Sequence, residues 1–179
     1  MNQQILRVKN GYSSVDWYFS QPHNRQKIRK IMLVSDLPLE AFEITRYFTK
    51  DLPERLGVGL VVFDRFKPNP DYESVVEGVR VFKESGCDAV VAVGGGSSMD
   101  VAKCIKMFAT LDEGQNYLEQ EIIPNKIPFL AVPTTAGTGS EGWTSGSWAR
   151  QGRRVAANRR QDNGNVGFMM GNRVGERMP

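Results

Sequence analysis

Four short apolar runs, each separated from the next by a stretch with helical periodicity, constrain the fold of this chain more than any other feature. The runs are KIMLVSD (30–36), VGLVVFD (58–64), CDAVVAVGG (87–95) and IPFLAVPTT (127–135). Strands that are apolar throughout, rather than alternating, are typical of a parallel sheet covered by helices on both faces. The pattern therefore predicts an α/β fold with a doubly wound, mostly parallel, Rossmann-like sheet.

Three stretches between these runs carry helical patterns. The chain reads LEAFEITRYFTKDL over residues 39–52, NPDYESVVEGVRVFKESG over 69–86 and SSMDVAKCIKMFATL over 97–111. In the second stretch Asn69 is expected to be the N-cap, Pro70 the first helical residue and Gly86 the stop. In the third, Ser97 and Asp100 match the S-x-x-D capping box, with Ser97 as the N-cap. The second helix is expected to bury one face that carries Val75, Val79 and Phe82.

The composition divides the chain into two regions. Residues 1–141 contain 16 Lys and Arg against 18 Asp and Glu, whereas residues 142–179 contain seven Arg, no Lys and two acids. The second region also has seven Gly and no Leu or Ile, so it offers little apolar surface to offset the entropy of ordering the chain. We expect an α/β domain over 1–141 and an atypical, largely disordered tail over 142–179.

Neither export nor membrane insertion is indicated by the sequence. The first ten residues, MNQQILRVKN, lack the basic start and apolar stretch of a signal peptide, and no apolar run approaches the roughly 18 residues that span a bilayer. A cytoplasmic location without a membrane partner is expected. Cys87 and Cys104 form no CxxC pair and have no clustered histidines beside them, so they are expected to be small core residues.

A glycine-rich loop follows the third apolar run. Gly94 to Ser98 would lie beyond the carboxyl end of a parallel strand, which is where ligands of such sheets bind. Glycines let the backbone approach a ligand, and the N–H groups that open the next helix attract anions such as phosphate. The loop matches neither G-x-G-x-x-G, because Met99 stands at the last glycine position, nor the P-loop. A tight packing turn is the alternative interpretation of these glycines.

A second polar loop follows the fourth apolar run. Its sequence is PTTAGTGSE, residues 133–141, and it places four hydroxyl side chains at the same predicted edge of the sheet: Thr134, Thr135, Thr138 and Ser140. Ordinary turn chemistry would explain such a loop by itself. Two polar loops at one sheet edge instead favour a shared ligand site.

The two loops resemble a known family. GGGSSMDVAK (94–103), followed about thirty residues later by PTTAGTGSE (133–141), is similar to the iron-containing, or group III, alcohol dehydrogenases, which are related to glycerol dehydrogenase and dehydroquinate synthase. KPNPDYESVVEGV (67–79) resembles the segment that the family has before them. The resemblance covers residues 5–141 and implies an amino-terminal domain that binds NAD or NADP.

The resemblance also implies a role for particular residues. Gly95, Gly96 and Ser97 would lie at the pyrophosphate, with Asp100 supporting the turn. Asn69 matches another cofactor contact. The threonines that match positions towards the nicotinamide end are Thr134, Thr135 and, close by, Thr138.

Asp36 matches the position near the adenosine ribose. A carboxylate there can accept hydrogen bonds from the ribose 2′-hydroxyl but repels a 2′-phosphate, so NAD is favoured over NADP. A turn acid after a strand is the alternative reading of Asp36 taken without the resemblance.

The family's metal site has no counterpart that we can identify in the sequence. The resemblance implies a second, helical domain in which an aspartate and three histidines bind iron or another divalent metal that polarises the oxygen of an alcohol or aldehyde substrate. This chain has one histidine, His23, which matches none of those ligands. We therefore expect no metal ligands and no catalytic residues of the family here, and expect homo-oligomers only of full-length relatives.

The sequence departs from the family's pattern directly after Glu141. The family continues with an apolar strand and a lysine near the cofactor, whereas this chain continues with Gly142 and has no lysine after Lys126. The departure favours an out-of-frame or rearranged tail and a truncated, inactive form. A genuine basic tail is the alternative.

Three functions remain open at this level. The leading one is an NAD-dependent oxidoreductase that exchanges hydride with an alcohol or aldehyde, without a nucleic-acid partner. The second is a glycerol, polyol or phosphonoacetaldehyde-type dehydrogenase, or a dehydroquinate synthase relative. The third is a non-catalytic NAD-binding module whose arginine-rich tail contacts nucleic acid or another acidic partner.

Overall fold

A computed structural model describes residues 4–7, 12–25, 27–38, 43–134 and 165–169. The strands are β1 (Gln4–Arg7), β2 (Lys30–Val34), β3 (Gly59–Phe63), β4 (Ala89–Gly94), β5 (Phe129–Pro133) and β6 (Asn165–Met169). They form one sheet in the order β1-β6-β5-β4-β2-β3, and every neighbouring pair is parallel. The predicted parallel α/β sheet is confirmed, with each of the four predicted strands present.

Helices cover both faces of the sheet. The short helices are α1 (Ser13–Ser20), α2 (Pro22–Arg25), α3 (Glu43–Arg46) and α4 (Leu52–Leu56), the last two joined by a π-helical turn over Tyr47–Asp51. The two long helices are α5 (Tyr72–Glu84) and α6 (Gly96–Phe108), and a single 3₁₀ turn spans Tyr117–Glu119.

The central strands are buried on both sides because each face of the sheet carries its own apolar cluster. In β4, Val90 and Ala92 point into the cluster beneath α5 and α6, whereas Val91 and Val93 point into the cluster beneath α1 and the helical run 43–56. This arrangement explains why the strands read as continuous apolar runs, as the doubly wound prediction required.

Helix α5 begins later than the sequence suggested. Its N-cap is Asp71, whose carboxylate accepts a hydrogen bond from the Ser74 backbone N–H at 2.9 Å. The predicted N-cap Asn69 is wrong, because this residue has a left-handed backbone with φ of 55° and precedes a proline, which disfavours helical geometry. The end of the helix is as expected, since Gly86 follows it with φ of 66°.

Two strands, β1 and β6, were not predicted from the sequence. Strand β6 lies within the arginine- and glycine-rich region and pairs with β5 on one side and β1 on the other, for example Ala131 with Gly167 and Ile5 with Gly167. Backbone pairing in a sheet needs no apolar period of its own, so sequence patterning gave no signal for this segment. The rest of the expectation for 142–179 concerns residues outside the described part of the chain.

Candidate functional site

The strand order creates a crevice at the carboxyl edge of the sheet. The chain leaves β2 towards β3 on one side, and leaves β4 towards β5 on the other. Strands β2 and β4 are neighbours, so the connections diverge between them. In doubly wound sheets ligands bind at this kind of topological switch point, just outside the carboxyl ends of the two strands.

Asp36 and Ser98 meet in this crevice. Asp36 stands two residues beyond the end of β2, and the Ser98 hydroxyl donates a hydrogen bond to its Oδ1 atom at 2.6 Å. The same hydroxyl oxygen accepts the Asp36 backbone N–H at 3.3 Å. Ser98 is fully buried, whereas Asp36 is exposed. The carboxylate is therefore hydrogen-bonded to Ser98 on its protein side and is accessible to solvent on the other.

Gly94 makes room for this pair. Its φ of 152° is a conformation that residues with a side chain rarely adopt. A Cβ atom at this position would overlap the Ser98 hydroxyl and lie 2.5 Å from Asp36 Oδ1. The first glycine of the loop is therefore required for the side chains of Asp36 and Ser98 to approach each other.

The start of α6 offers backbone donors to the same crevice. Its N-cap is Gly95, which makes no side-chain cap hydrogen bond, and the helix proper begins at Gly96. The first N–H groups of a helix have no partner within the helix, and the helix dipole adds a partial positive charge there. Gly95, Gly96 and Ser97 are partly exposed, so an anion can reach these groups.

The predicted capping box in α6 is wrong. Because Gly95 is the N-cap, Ser97 lies in the first turn and cannot cap the helix. Asp100 lies further along the helix, is 8% exposed, and forms an ion pair with Lys103 at 3.9 Å. Asp100 is thus a buried residue of α6 with an ion-pair partner, and its support of the glycine turn stays a prediction.

Thr134 reaches the same edge from β5. Its backbone N–H donates to the Gly94 carbonyl oxygen at 2.9 Å, which continues the pairing of β4 with β5 past the end of both strands. The side chain of Thr134 is partly exposed. Thr135 and Thr138, which were assigned to the same loop, lie outside the described residues.

Asn69 lies one strand further along the edge. It is exposed and stands in the loop between β3 and α5. Within the described ranges, Asn69 is the residue other than glycine that has a positive φ. The structure thus brings Asp36, the glycine turn and Thr134 together around β2, β4 and β5, while Asn69 follows the neighbouring outer strand.

Sequence reasoning included Gly94 and Ser98 in the predicted ligand loop but assigned neither of them a role. A signal for both was present, because three successive glycines after a strand allow the helix to begin one residue before Ser97. The contact between Ser98 and Asp36 joins residues 62 positions apart, and no local pattern announces it.

A second concavity lies away from these residues, among α1 and the helical run 43–56. It has a volume of about 420 Å³. The Asp16 carboxylate within it accepts hydrogen bonds from the Tyr47 hydroxyl and from Arg55, each at 2.5 Å. Burial, aided by the hydrogen bond to Asp16, raises the pKa of Tyr47 well above its usual range. None of the predicted site residues lines this concavity.

Within the described ranges there is no group of three or more His, Cys, Asp or Glu side chains that could hold a metal ion. Over the same ranges, no helix combines the length and apolar character needed to cross a bilayer.

Comparison with known proteins identifies relatives over most of this chain. The family model described as iron-containing alcohol dehydrogenase matches residues 16–154. The NAD-dependent methanol dehydrogenase of Bacillus methanolicus is 37% identical over 119 residues, and the 1,3-propanediol dehydrogenase of Citrobacter freundii is 40% identical over 119 residues. Each alignment covers 63% of this chain and 30% of the relative, so the chain spans about a third of the length of these proteins.

Solved structures give the same result. A 1,3-propanediol oxidoreductase superimposes with a TM-score of 0.64 at 31% identity, over 77% of this chain and 35% of the other. A sulfoacetaldehyde reductase from Bifidobacterium kashiwanohense, solved in complex with NAD⁺, superimposes with a TM-score of 0.61 at 26% identity, over 78% and 36%. Since the family model covers well over half of its residues, this chain belongs to the iron-containing alcohol dehydrogenase family.

Proposed function

We propose that this chain binds NAD in the crevice between β2 and β4, as the nucleotide-binding part of an oxidoreductase that interconverts alcohols and aldehydes. The observation that carries the proposal is the juxtaposition of an exposed carboxylate, Asp36, with the uncapped start of α6 across Gly94. A carboxylate that accepts from a ribose and backbone donors that hold a pyrophosphate are the two groups that a dinucleotide requires.

Each part of the crevice has a distinct role in this proposal. The backbone N–H groups of Gly96 and Ser97 hold the pyrophosphate, and Gly95 lets it approach. Asn69 supplies a further cofactor contact. The residues that line the nicotinamide end are Thr134, Thr135 and Thr138. Bound NAD supplies the hydride acceptor; the chain's own residues bind and orient it.

Asp36 favours NAD over NADP in the proposed site. A 2′-phosphate beside its carboxylate would place two negative charges within hydrogen-bonding range, which costs on the order of 1 kcal/mol at a partly solvated position. The methanol dehydrogenase relative is named as NAD-dependent, and the sulfoacetaldehyde reductase was solved with NAD⁺, which supports this preference. Replacement of Asp36 by Gly should narrow the affinity gap between the two cofactors.

The substrate is proposed only as a small alcohol or aldehyde. Relatives that match this chain about equally well are named for different substrates. The choline dehydrogenase of Bacillus subtilis is 40% identical over 121 residues, and the 1,3-propanediol dehydrogenase is 40% identical over 119 residues. Since similar identity in this part accompanies different substrates, the likeness does not single out one substrate for this chain.

The metal of the family is not assigned to this chain's described residues. Their donor set does not fit the aspartate and three histidines that the family uses, because the whole chain has one histidine and no three-residue donor group occurs within the described ranges. We infer that the 179-residue polypeptide binds NAD but, tested by itself, does not oxidise alcohols.

Calorimetric titration of the 179-residue chain with NAD tests the proposal. A side chain at Gly96 would occupy the space at the first turn of α6 through which a phosphate approaches, so Gly96→Val should abolish NAD binding while the circular dichroism spectrum is retained. Gly114→Val is the matched control, since Gly114 lies in an exposed loop and a Cβ there makes ordinary contacts. Equal NAD affinity in wild type and Gly96→Val would reject the site.

A further inference from the structure

The geometry points to Ser98 as a positioning residue that sets cofactor specificity by holding the carboxylate of Asp36. The inference rests on the proposed NAD site and adds to it a residue that does not itself contact the ligand. Ser98 carries out this role from the first turn of α6, beneath the residue that it orients.

Both hydrogen-bonding functions of the Ser98 hydroxyl are directed to Asp36. The hydroxyl has a single proton, and it is donated to Asp36 Oδ1 at 2.6 Å. One of its lone pairs accepts the Asp36 backbone N–H at 3.3 Å. The side chain and the backbone of Asp36 are thus fixed by one buried atom, and hydrogen bonds to a charged partner are stronger than neutral ones.

The surroundings leave this pair little freedom. Ser98 has no exposed surface, and the missing side chain of Gly94 provides the space in which its hydroxyl meets the carboxylate. Rotation of Asp36 away from the crevice would leave a buried hydroxyl proton without an acceptor, which carries a free-energy cost. The orientation of the carboxylate is therefore imposed by the fold before any ligand binds.

This restraint has opposite consequences for the two cofactors. With Oδ1 held by Ser98, Oδ2 of the exposed Asp36 can accept a ribose hydroxyl without loss of side-chain freedom on binding. A 2′-phosphate could be accommodated only if the carboxylate moved away, and Ser98 opposes that movement. Ser98 therefore increases discrimination against NADP, beyond the charge of Asp36 alone.

The replacement Ser98→Ala tests the inference by the ratio of the Kd for NADP to the Kd for NAD. We expect the ratio to fall about tenfold, because a hydrogen bond to a charged group is removed. Ser35→Ala is the matched control: Ser35 is equally buried at the end of β2, and its hydroxyl accepts the Leu37 N–H at 3.2 Å instead of contacting the carboxylate. An equal fall in the control would show general loosening of the edge and would overturn the inference.

A double-mutant cycle distinguishes this inference from the proposed NAD site itself. If Ser98 acts through Asp36, Ser98→Ala should not change the ratio any further in an Asp36→Ala background. An unchanged ratio in the single mutant Ser98→Ala, with NAD still bound by wild type, would refute the role of Ser98 and leave the NAD site standing. Failure of wild type to bind NAD at all would refute both. Thermal unfolding of each variant confirms that the compared proteins are folded.

Discussion

Helices α5 and α6 have the same length, 13 residues, and pack against each other, yet they begin in different ways. Helix α5 supplies its own cap, since the Asp71 carboxylate accepts the Ser74 N–H at 2.9 Å and also bonds the Ser74 hydroxyl. Helix α6 begins at a glycine N-cap that makes no side-chain hydrogen bond.

In the proposed function, this difference separates a structural helix start from a binding one. A carboxylate cap satisfies the first donors of α5 and adds a negative charge that repels an incoming anion. At α6 the corresponding donors have no such cap, and a carboxylate is placed to one side, where Ser98 holds Asp36. Under the proposed function, the same secondary structure thus serves the core in one case and a ligand in the other.

The largest effect is expected at the glycine that shapes the α6 start. Gly94→Ala forces a side chain into a backbone with φ of 152° and into contact with both Asp36 and Ser98. We expect the free energy of unfolding to fall by about 3 kcal/mol. Urea denaturation measures the change.

Gly57→Ala is the control for that replacement. Gly57 also has positive φ, at 66°, but a Cβ there meets nothing within 4 Å, so we expect only the backbone strain of about 1 kcal/mol. Equal losses in the two variants would show that the crowding around Asp36 and Ser98 has no energetic role.

A smaller effect is expected where the two helices touch. Gly78 lies on the buried face of α5, and a Cβ there would come within 2.5 Å of Ile105 Cδ1 on α6. Gly78→Val should lower the free energy of unfolding by about 2 kcal/mol through overpacking. Retained NAD binding in this folded variant would show that the start of α6 tolerates a change in the packing of the helix. A stability equal to that of wild type would contradict the close approach of α5 and α6 at Gly78.

The smallest effect concerns the α5 cap, and it depends on pH. The hydrogen bonds from Ser74 hold the pKa of Asp71 below its usual value of 3.8. A lowered folded-state pKa means that the carboxylate stabilises the protein at pH values above 3.8 and that this stabilisation is lost as pH falls through the lowered pKa.

Asp71→Ala should therefore lower the thermal midpoint by a few degrees at neutral pH, and the difference from wild type should shrink in acid. NAD affinity should change little, because the proposed pyrophosphate donors lie on α6 and the Asn69 contact precedes the cap in the loop. A loss of NAD binding in this variant would remove the distinction between the two helices. Scanning calorimetry at several pH values provides the comparison.

The sequence predicted the sheet well because burial on both faces leaves a strong signal. Strands such as β4 are apolar at every position, and that pattern cannot be satisfied by a half-exposed strand. Helix boundaries were less predictable. The S-x-x-D pattern at Ser97 favoured a side-chain cap, but the N-cap is Gly95, two residues earlier, which has no side chain to accept from the first N–H groups.

The candidate site was predictable only in part, because its contacts join distant parts of the chain. The position of Asp36 after a strand indicated the sheet edge correctly, since carboxyl ends of parallel strands meet there. Its partner Ser98 and the need for Gly94 depend on how β2 and β4 pack side by side. Strands β1 and β6 were not predicted, because the pairing of β6 with β1 and with β5 uses backbone groups that every sequence possesses.

The most direct test of the difference between the two helix starts is an NMR titration of the ¹⁵N-labelled 179-residue chain with NAD. The backbone amide signals of Gly96 and Ser97 should shift as NAD is added, because their N–H groups would donate to the pyrophosphate, while the amide of Ser74 at the capped start of α5 should not move. Binding of NAD with Gly96 and Ser97 unperturbed would contradict the account.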